Sequence, residues 1–503
     1  MKRGELATIW KHGRVYSVAN VLNRVAGLVL LPVYLHVLQP AEYGLLAVVT
    51  LTADVLGVVL GLGLGRALLR LYVGAADETA RDRLVVSALL LLLLLGAVFA
   101  ALSAPIAELA CWLMFGNDAH ATVFFYANLG IVFTVLFNFE LSCLVARKAS
   151  AVYLWASLAK TLLMLSLNIV LVVYLDAGVL GVVFGTMISA LLVAGALLLE
   201  LLRGRELRGS FGSMRELVVF AAPLVPSVLI DTVVVALDKV LLNRLSTPAM
   251  VGGYATGQRL SSLLQLFVVQ PFMQIWAVRQ LEVLDDPGDA GQTSLTRIFE
   301  LFIVLLGAAA LAVALFAPEL IALIAAPEYA HAAGVVPLLA LAEIVLLFRS
   351  YFEIGVFHAR ATRLLPWVSL ATLVLAVPLY AGSITAFGMR GAAFAFLATA
   401  LVRVVLVALV ARRVSPFGRD LAWSNVVLAI VGAGVVYTVA NLLAGVPGSL
   451  QACALKLAAV SVYLGVMLAS SVIGDDGRAA LGAALARLRR PRGGVAGGRE
   501  GGG

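Results

Sequence analysis

Apolar runs of about twenty residues recur from one end of this sequence to the other, and that feature alone excludes most folds. A helix rises about 1.5 Å per residue, so roughly twenty apolar residues cross a hydrocarbon core of about 30 Å. Spans are expected near 15–37, 44–65, 84–104, 121–145, 152–175 and 178–201. After a basic break they resume near 216–242, 251–276, 298–317, 334–356, 365–386 and 391–411, and a final pair lies near 423–444 and 452–473. The apolar share is 62% and the charged share 13%, against about 45–50% and 25% in soluble domains. A water-soluble fold has no means of hiding that much apolar surface. The expected fold class is an all-α polytopic membrane protein with about fourteen transmembrane helices.

The loops orient the chain. With the N-terminus cytoplasmic, 27 of the 36 Lys and Arg fall in inward segments, and the outward loops hold only Arg244 and Arg390. That is the bias that sets membrane topology, so both termini are expected on the cytoplasmic side of a bacterial inner membrane. The basic start, Met1 to Arg14, leads into an apolar stretch too long for a signal-peptide core and lacking a small-residue cleavage site; the first helix is expected to be retained. The net charge of +8 is spread over short loops rather than gathered on one soluble face, which argues against a nucleic-acid partner. Cys111, Cys143 and Cys453 are scattered and odd in number, so no disulfide framework or metal cluster is expected. The tail beyond Gly474 is basic and then Gly-rich, and reads as disordered, with at most a short surface helix over Arg478–Arg490 held by anionic lipid.

The two halves repeat at an offset near 210 residues. Gly178, Gly181 and Phe184 open the sixth span as Gly388, Gly391 and Phe394 open the twelfth; Glu140 with Arg147 closes the fourth as Glu353 with Arg360 closes the tenth; His120 and His331 each stand between alanines ahead of those spans. Three matches in one order argue for duplication. The expected organisation is a six-helix bundle over 1–201, a basic cytoplasmic linker over 202–215, a second six-helix bundle over 216–411, an extra helix pair over 412–474, and a basic tail over 475–503. An even number of spans per half relates the bundles by a pseudo-two-fold axis along the membrane normal, around a central cavity. That arrangement points to a transporter; a duplicated scaffold is the plainer alternative.

Charge at mid-span costs about 2.5–3.5 kcal/mol on insertion scales, and seven cations lie inside expected spans. At 100° per residue, Tyr16, Ser17, Asn20, Asn23, Arg24 and Gly27 share a face of the first span. Ser157, Lys160, Thr161, Met164 and Asn168 do so in the fifth, and Pro223, Ser227, Asp231 and Asp238 in the seventh, where Pro223 and Pro226 are expected to bend the helix; the eighth presents Tyr254, Gln258, Arg259, Ser262 and Gln265 over a broader arc. These faces are placed toward the cavity, which makes Arg24, Asn20, Asn23, Lys160, Arg259 and Gln258 candidate substrate contacts. Arg403 joins them as an intramembrane cation without a polar face of its own. Asp54, Asp231 and Asp238 are candidate ion-coupling groups or counter-ions. Lys239 and Lys456 stand near span ends, where snorkelling is cheap; Arg349 and Glu353 are spaced for an intrahelical pair; Glu140 and Glu353 are near enough to basic loops to pair with them. Cations outnumber carboxylates in mid-bundle, which suits an anionic cargo such as a pyrophosphate or acidic sugar, since Arg presents paired donors to phosphate.

Gly61, Gly63 and Gly65 echo a dinucleotide fingerprint but lie inside a span, where small residues make packing surfaces. No P-loop, HExxH or GxSxG occurs, and neither enzyme chemistry nor a metal or other cofactor is called for.

The first seventy residues carry Asn20-Val-Leu-Asn-Arg24-Val-Ala-Gly27, then Leu38-Gln-Pro-Ala-Glu42-Tyr43-Gly44-Leu45, then Leu60-Gly-Leu-Gly63 running to Leu69-Arg-Leu-Tyr72. The second half adds Asp238-Lys239 and Val251-Gly-Gly-Tyr254 leading to Arg259. The pattern resembles the polysaccharide-biosynthesis flippases, the Wzx-type branch of the MOP superfamily that also holds the lipid II flippases and MATE exporters. The resemblance implies two six-helix bundles that alternate between inward- and outward-open states. The implied cargo is an undecaprenyl-diphosphate-linked oligosaccharide moved to the periplasmic leaflet for O-antigen or exopolysaccharide synthesis. It also implies that Arg24 and Arg259 are cavity cations beside a gap between the first and eighth helices. Its partners would be the lipid-linked anionic glycan, membrane lipids, and glycosyltransferase or polymerase components. Two other readings stand beside it: a proton- or sodium-coupled exporter of small molecules, with Asp231 and Asp238 titrating, and a membrane subunit of an exopolysaccharide synthase.

Overall fold

The computed structural model describes residues 27–203, 209–285, 289–415, 421–443 and 448–470, and these are helical with short turns and no strand. Among them, eleven helices are long and apolar enough to span a bilayer, or twelve if one bent pair counts as a single span. The count differs from the expected fourteen partly because helices run together and partly because the first span is described only from Gly27. Tyr16, Ser17, Asn20, Asn23 and Arg24, much of the basic linker, and the tail lie outside the described residues.

The first half comprises α1 (Gly27–Val37), α2 (Pro40–Gly61), α3 (Leu64–Gly74), α4 (Glu78–Ala101), α5 (Ser103–Phe115), α6 (Ala121–Ala146), α7 (Ser150–Asn168) and α8 (Gly178–Leu202). The second comprises α9 (Phe211–Ala221), α10 (Val225–Leu245), α11 (Pro248–Leu264), α12 (Gln270–Asp285), α13 (Asp289–Leu315), α14 (Ala317–Ile324), α15 (Val336–His358) and α16 (Leu365–Val414), followed by α17 (Trp423–Leu443) and α18 (Leu450–Ala469). Helix starts follow local chemistry. Asp77 caps α4 by accepting from the Ala80 amide at 2.6 Å, and Ser449 caps α18 from the Ala452 amide at 3.1 Å. Both α2 and α11 open on a proline, Pro40 and Pro248, where the missing amide hydrogen costs nothing.

Breaks are equally local. Leu62 and Gly63 both take left-handed conformations, with φ of 46° and 68°, and so split α2 from α3; Gly61 and Gly65 on either side pack toward Val135 and Ser142 of α6. The Gly61–Gly65 run is thus a helix break as well as a packing surface. Pro223 lies in the tight turn at Ala222–Leu224, and α9 and α10 meet there at 49°. The long helix α16 takes in two expected spans and kinks at Gly388, whose φ is 57°. Gly178, its counterpart in the repeat, has φ 52° at the start of α8. The repeated glycines therefore serve the same turn in both halves.

The halves meet closely at one end of the bundle. Where a side chain on Gly44 would go stands the carbonyl of Pro248, and where one on Gly252 would go stands the carbonyl of Pro40. Around this reciprocal crossing of α2 and α11, the Tyr329 hydroxyl donates to Leu38 O at 2.9 Å, the Ala326 amide to Leu35 O at 3.0 Å, and the Asn243 amide nitrogen to Met114 O at 2.7 Å. At the opposite end α9, although second-half sequence, lies against α3 and α4, with the Ser210 amide donating to Ser87 Oγ at 2.8 Å. The pair α17–α18 packs on α13. Glu300 accepts from the Ala422 amide at 3.0 Å and the Asn425 side chain at 3.2 Å, while Lys456 donates to Glu319 at 2.5 Å.

Candidate functional site

Between the halves lies a cavity of about 920 Å³, walled by α1, α2 and α8 on one side and by α10, α11, α15 and α16 on the other. It begins beside the Gly44–Gly252 crossing, at Tyr43 and Leu46, and extends along α2 and α11 to Asp54 and Ser262. Tyr34, Tyr43, Thr50 and Asp54 supply the polar lining from the first half. The second half supplies Lys239, Gln258, Arg259, Glu343, Arg349, Glu353 and Arg403, with hydroxyl and amide side chains between them.

Most of these charges are already matched. Arg403 Nη2 lies 2.6 Å from Asp231 Oδ1, which also accepts from Ser369 Oγ at 2.8 Å. Lys239 Nζ stands 3.3 Å from Asp238, which further accepts from the Tyr254 hydroxyl at 2.9 Å and Gln258 Nε2 at 3.1 Å. Arg349 pairs with Glu353 at 2.5 Å, and Gln265 donates to Glu343 at 2.5 Å. Arg403 with Asp231 ties α16 to α10, and Tyr254 and Gln258 on Asp238 tie α11 to α10, whereas Arg349 with Glu353 is matched within α15. Arg259 differs. Among the described lining cations it alone has no ion pair, with Tyr43 and Asp54 of the opposite half within its electrostatic reach.

The structure thus brings Asp54, Gln258, Arg259 and Arg403 into one cavity and sets Asp231 and Asp238 directly behind it. Lys160 does not join them. Its helix stands behind α6 and α8, and its ammonium sits 4.7 Å from the centre of the Phe137 ring. The polar face on α7 is turned into the first bundle: Asn168 donates to Met164 O at 2.8 Å, and Ser157 is 1% exposed. The lining holds four cations against three carboxylates, with Asp231 and Asp238 as two further carboxylates behind. The expected cation surplus is therefore absent among the described residues, and the positive character concentrates at Arg259.

Three bland expectations also fail. Lys239 does not snorkel: it is buried, paired with Asp238, and 5.7 Å from the Tyr254 ring. Lys456 is 2% exposed and held by Glu319. Glu140 reaches no basic loop: it is fully buried, and neither carboxyl oxygen has a hydrogen-bond partner among the described residues. Glu353 does pair, but with Arg349 on its own helix. Glu343 was not singled out in the sequence, although a lone carboxylate in the middle of an apolar span is itself a signal. Among the described residues no group of three His, Cys, Asp or Glu is placed to hold a metal ion.

The fold matches that of the lipid II flippase MurJ in an inward closed conformation, with a TM-score of 0.71 at 12% identity over 92% of this chain and 99% of that one. It also matches an inward-facing multidrug resistance MATE family transporter of the MOP superfamily, with a TM-score of 0.63 at 18% identity over 78% of this chain and 93% of that one. A MOP superfamily transporter from Pyrococcus furiosus, described as having a binding pocket of reverse polarity, matches with a TM-score of 0.53 at 18% identity over 81% and 94%. No curated protein sequence gives a match. Residues 9–276 fit the profile of the polysaccharide biosynthesis protein family. With more than half of its length accounted for in this way and a MOP-type fold around a two-sided cavity, the chain belongs to the polysaccharide biosynthesis protein family.

Proposed function

We propose that the protein is a flippase. It carries an undecaprenyl-diphosphate-linked oligosaccharide from the cytoplasmic to the periplasmic leaflet of a bacterial inner membrane by alternating access, and so serves surface or exopolysaccharide synthesis. The observation that carries this reading is Arg259: an arginine without an ion pair among the described residues, in a cavity between two bundles whose other described cations are matched. An arginine left unmatched in a low-dielectric wall gains most from an arriving diphosphate or acidic sugar. In this reading Arg24 of the first half serves with Arg259, both termini are cytoplasmic, and the Gly44–Gly252 crossing seals the periplasmic side. The two bundles over 1–201 and 216–411 rock about the cavity, and glycosyltransferases and a polymerase act before and after it.

Ion-coupled export of small molecules has less behind it, because Asp231 and Asp238 are each held by a cation rather than free to exchange one. The deciding experiment is complementation of a deletion strain. Wild-type chain and Arg259→Lys are expected to restore surface polysaccharide, and Arg259→Glu to abolish it at equal membrane level. Unchanged polysaccharide with Arg259→Glu removes Arg259 from the mechanism. Normal polysaccharide with drug sensitivity in the deletion strain replaces the flippase reading by an exporter, and loss of polymerisation with translocation intact replaces it by a synthase subunit.

A further inference from the structure

A second cavity, of about 490 Å³, opens where α3 ends and α4 and α9 begin, within the roughly 300–1,000 Å³ of small-molecule sites. Arg70 and Arg83 line it together with Glu216 and Ser213, and Leu71, Leu84 and Phe220 supply apolar wall. Among the described residues, no ion pair or hydrogen bond joins the Arg70, Arg83 or Glu216 side chain to another. Two guanidinium groups and a carboxylate share one concavity without cancelling each other.

Its position narrows the ligand. Three helices of candidate membrane spans have their ends here, and the ends of spanning helices are where a bilayer passes from hydrocarbon to headgroups. Phe220 in the wall is 40% exposed and Val219 beside it 64%, so the apolar surface of α9 continues outward from the cavity, as on a lipid-facing helix. Paired guanidinium groups suit a phosphate. Glu216 sets a condition on that phosphate: it repels a headgroup that is only anionic and welcomes one with an ammonium a few bonds from the phosphorus.

We propose that this cavity binds a zwitterionic phospholipid with a phosphoethanolamine headgroup. The phosphate lies on Arg70 and Arg83, the ammonium on Glu216, and an acyl chain runs along Phe220. Because α9 leads through the bend at Ala222–Leu224 into α10, the lipid would tie the start of the second half to α3 and α4 of the first. The site is separate from the central cavity and does not depend on what the protein transports.

Native mass spectrometry of the full chain, released from micelles doped with equal dioleoyl-phosphatidylethanolamine and dioleoyl-phosphatidylglycerol, tests the assignment. Wild type is expected to retain the ethanolamine lipid preferentially. Glu216→Gln should weaken that preference about tenfold without weakening glycerol-lipid retention, since one charge-assisted contact is lost. Arg70→Gln with Arg83→Gln should release both lipids, while Arg70→Lys with Arg83→Lys keeps the preference at lower affinity. All positions are at the surface, and an unchanged size-exclusion profile shows that each variant is folded. The proposal is overturned if the double Gln variant retains the ethanolamine lipid as wild type does, if Glu216→Gln leaves the preference intact, or if excess inorganic phosphate displaces the lipid and marks a free-anion site.

Discussion

Asp238 and Glu140 are both fully buried carboxyl groups in opposite circumstances. Asp238 accepts hydrogen bonds from Lys239, Tyr254 and Gln258. Removing it leaves an ammonium in the interior, so Asp238→Ala is expected to cost about 3–5 kcal/mol, read as a lower thermal unfolding midpoint in detergent. Asp238→Ala combined with Lys239→Leu should recover most of the loss; no recovery would mean that the stranded Lys239 charge is not its source, and that the Tyr254 and Gln258 hydrogen bonds joining α11 to Asp238 are. Glu140 receives no hydrogen bond from a described residue, so its carboxyl contributes desolvation cost without return. Glu140→Leu keeps the volume and removes that cost; the midpoint is expected to rise by the equivalent of about 1–3 kcal/mol, and a fall would reveal a partner. These contrasts are invisible in the sequence. Spacing along one helix shows which residues share a face, as with Tyr254 and Gln258, but not what stands opposite. Arg403 has polar partners only because Asp231 and Ser369 approach from elsewhere in the bundle, and the carboxylate that holds Lys456 lies 137 residues before it.

Helices were more legible than single contacts, because twenty apolar residues have few alternatives in a bilayer. The bend at Pro223 was readable too, since proline removes a helical hydrogen bond wherever it stands. The break at Leu62–Gly63 was not: a leucine at φ 46° is placed there by its surroundings, against its own preference. The crossing of α2 and α11 carries a prediction of its own. Gly44→Ala puts a methyl group where the Pro248 carbonyl lies, so the two helices must separate for the variant to fold. A cysteine at Thr50, in the cavity wall, introduced with the native cysteines replaced, should then react about tenfold faster with a membrane-impermeant thiol reagent added from the side on which the crossing lies, since one misplaced contact of ~1.4 kcal/mol shifts a two-state balance by that factor. Equal reactivity with and without Gly44→Ala would show that the crossing does not seal the cavity.

At the scale of the whole molecule, the repeat and the MOP-type fold agree on where a cavity must be, between bundles rather than within one. The helix pair α17–α18 stands apart from it: neither helix contributes a residue to the cavity lining, and both attach through the second half, at Glu300 and Glu319. A chain ending after Ser415 is expected to restore surface polysaccharide in the deletion strain at comparable membrane level. Loss of polysaccharide with normal insertion would make the pair part of the transport path.

The crossing at Gly44 and Gly252 closes the bundle with main chain against main chain. Peptide groups are the same whatever residues surround them, so this closure takes no part in choosing a cargo. Under the proposed function, recognition and closure would then fall to separate parts of the chain: the wall could be rewritten residue by residue for a different cargo while the door keeps its fit, and a single methyl group at the door would disturb every version alike.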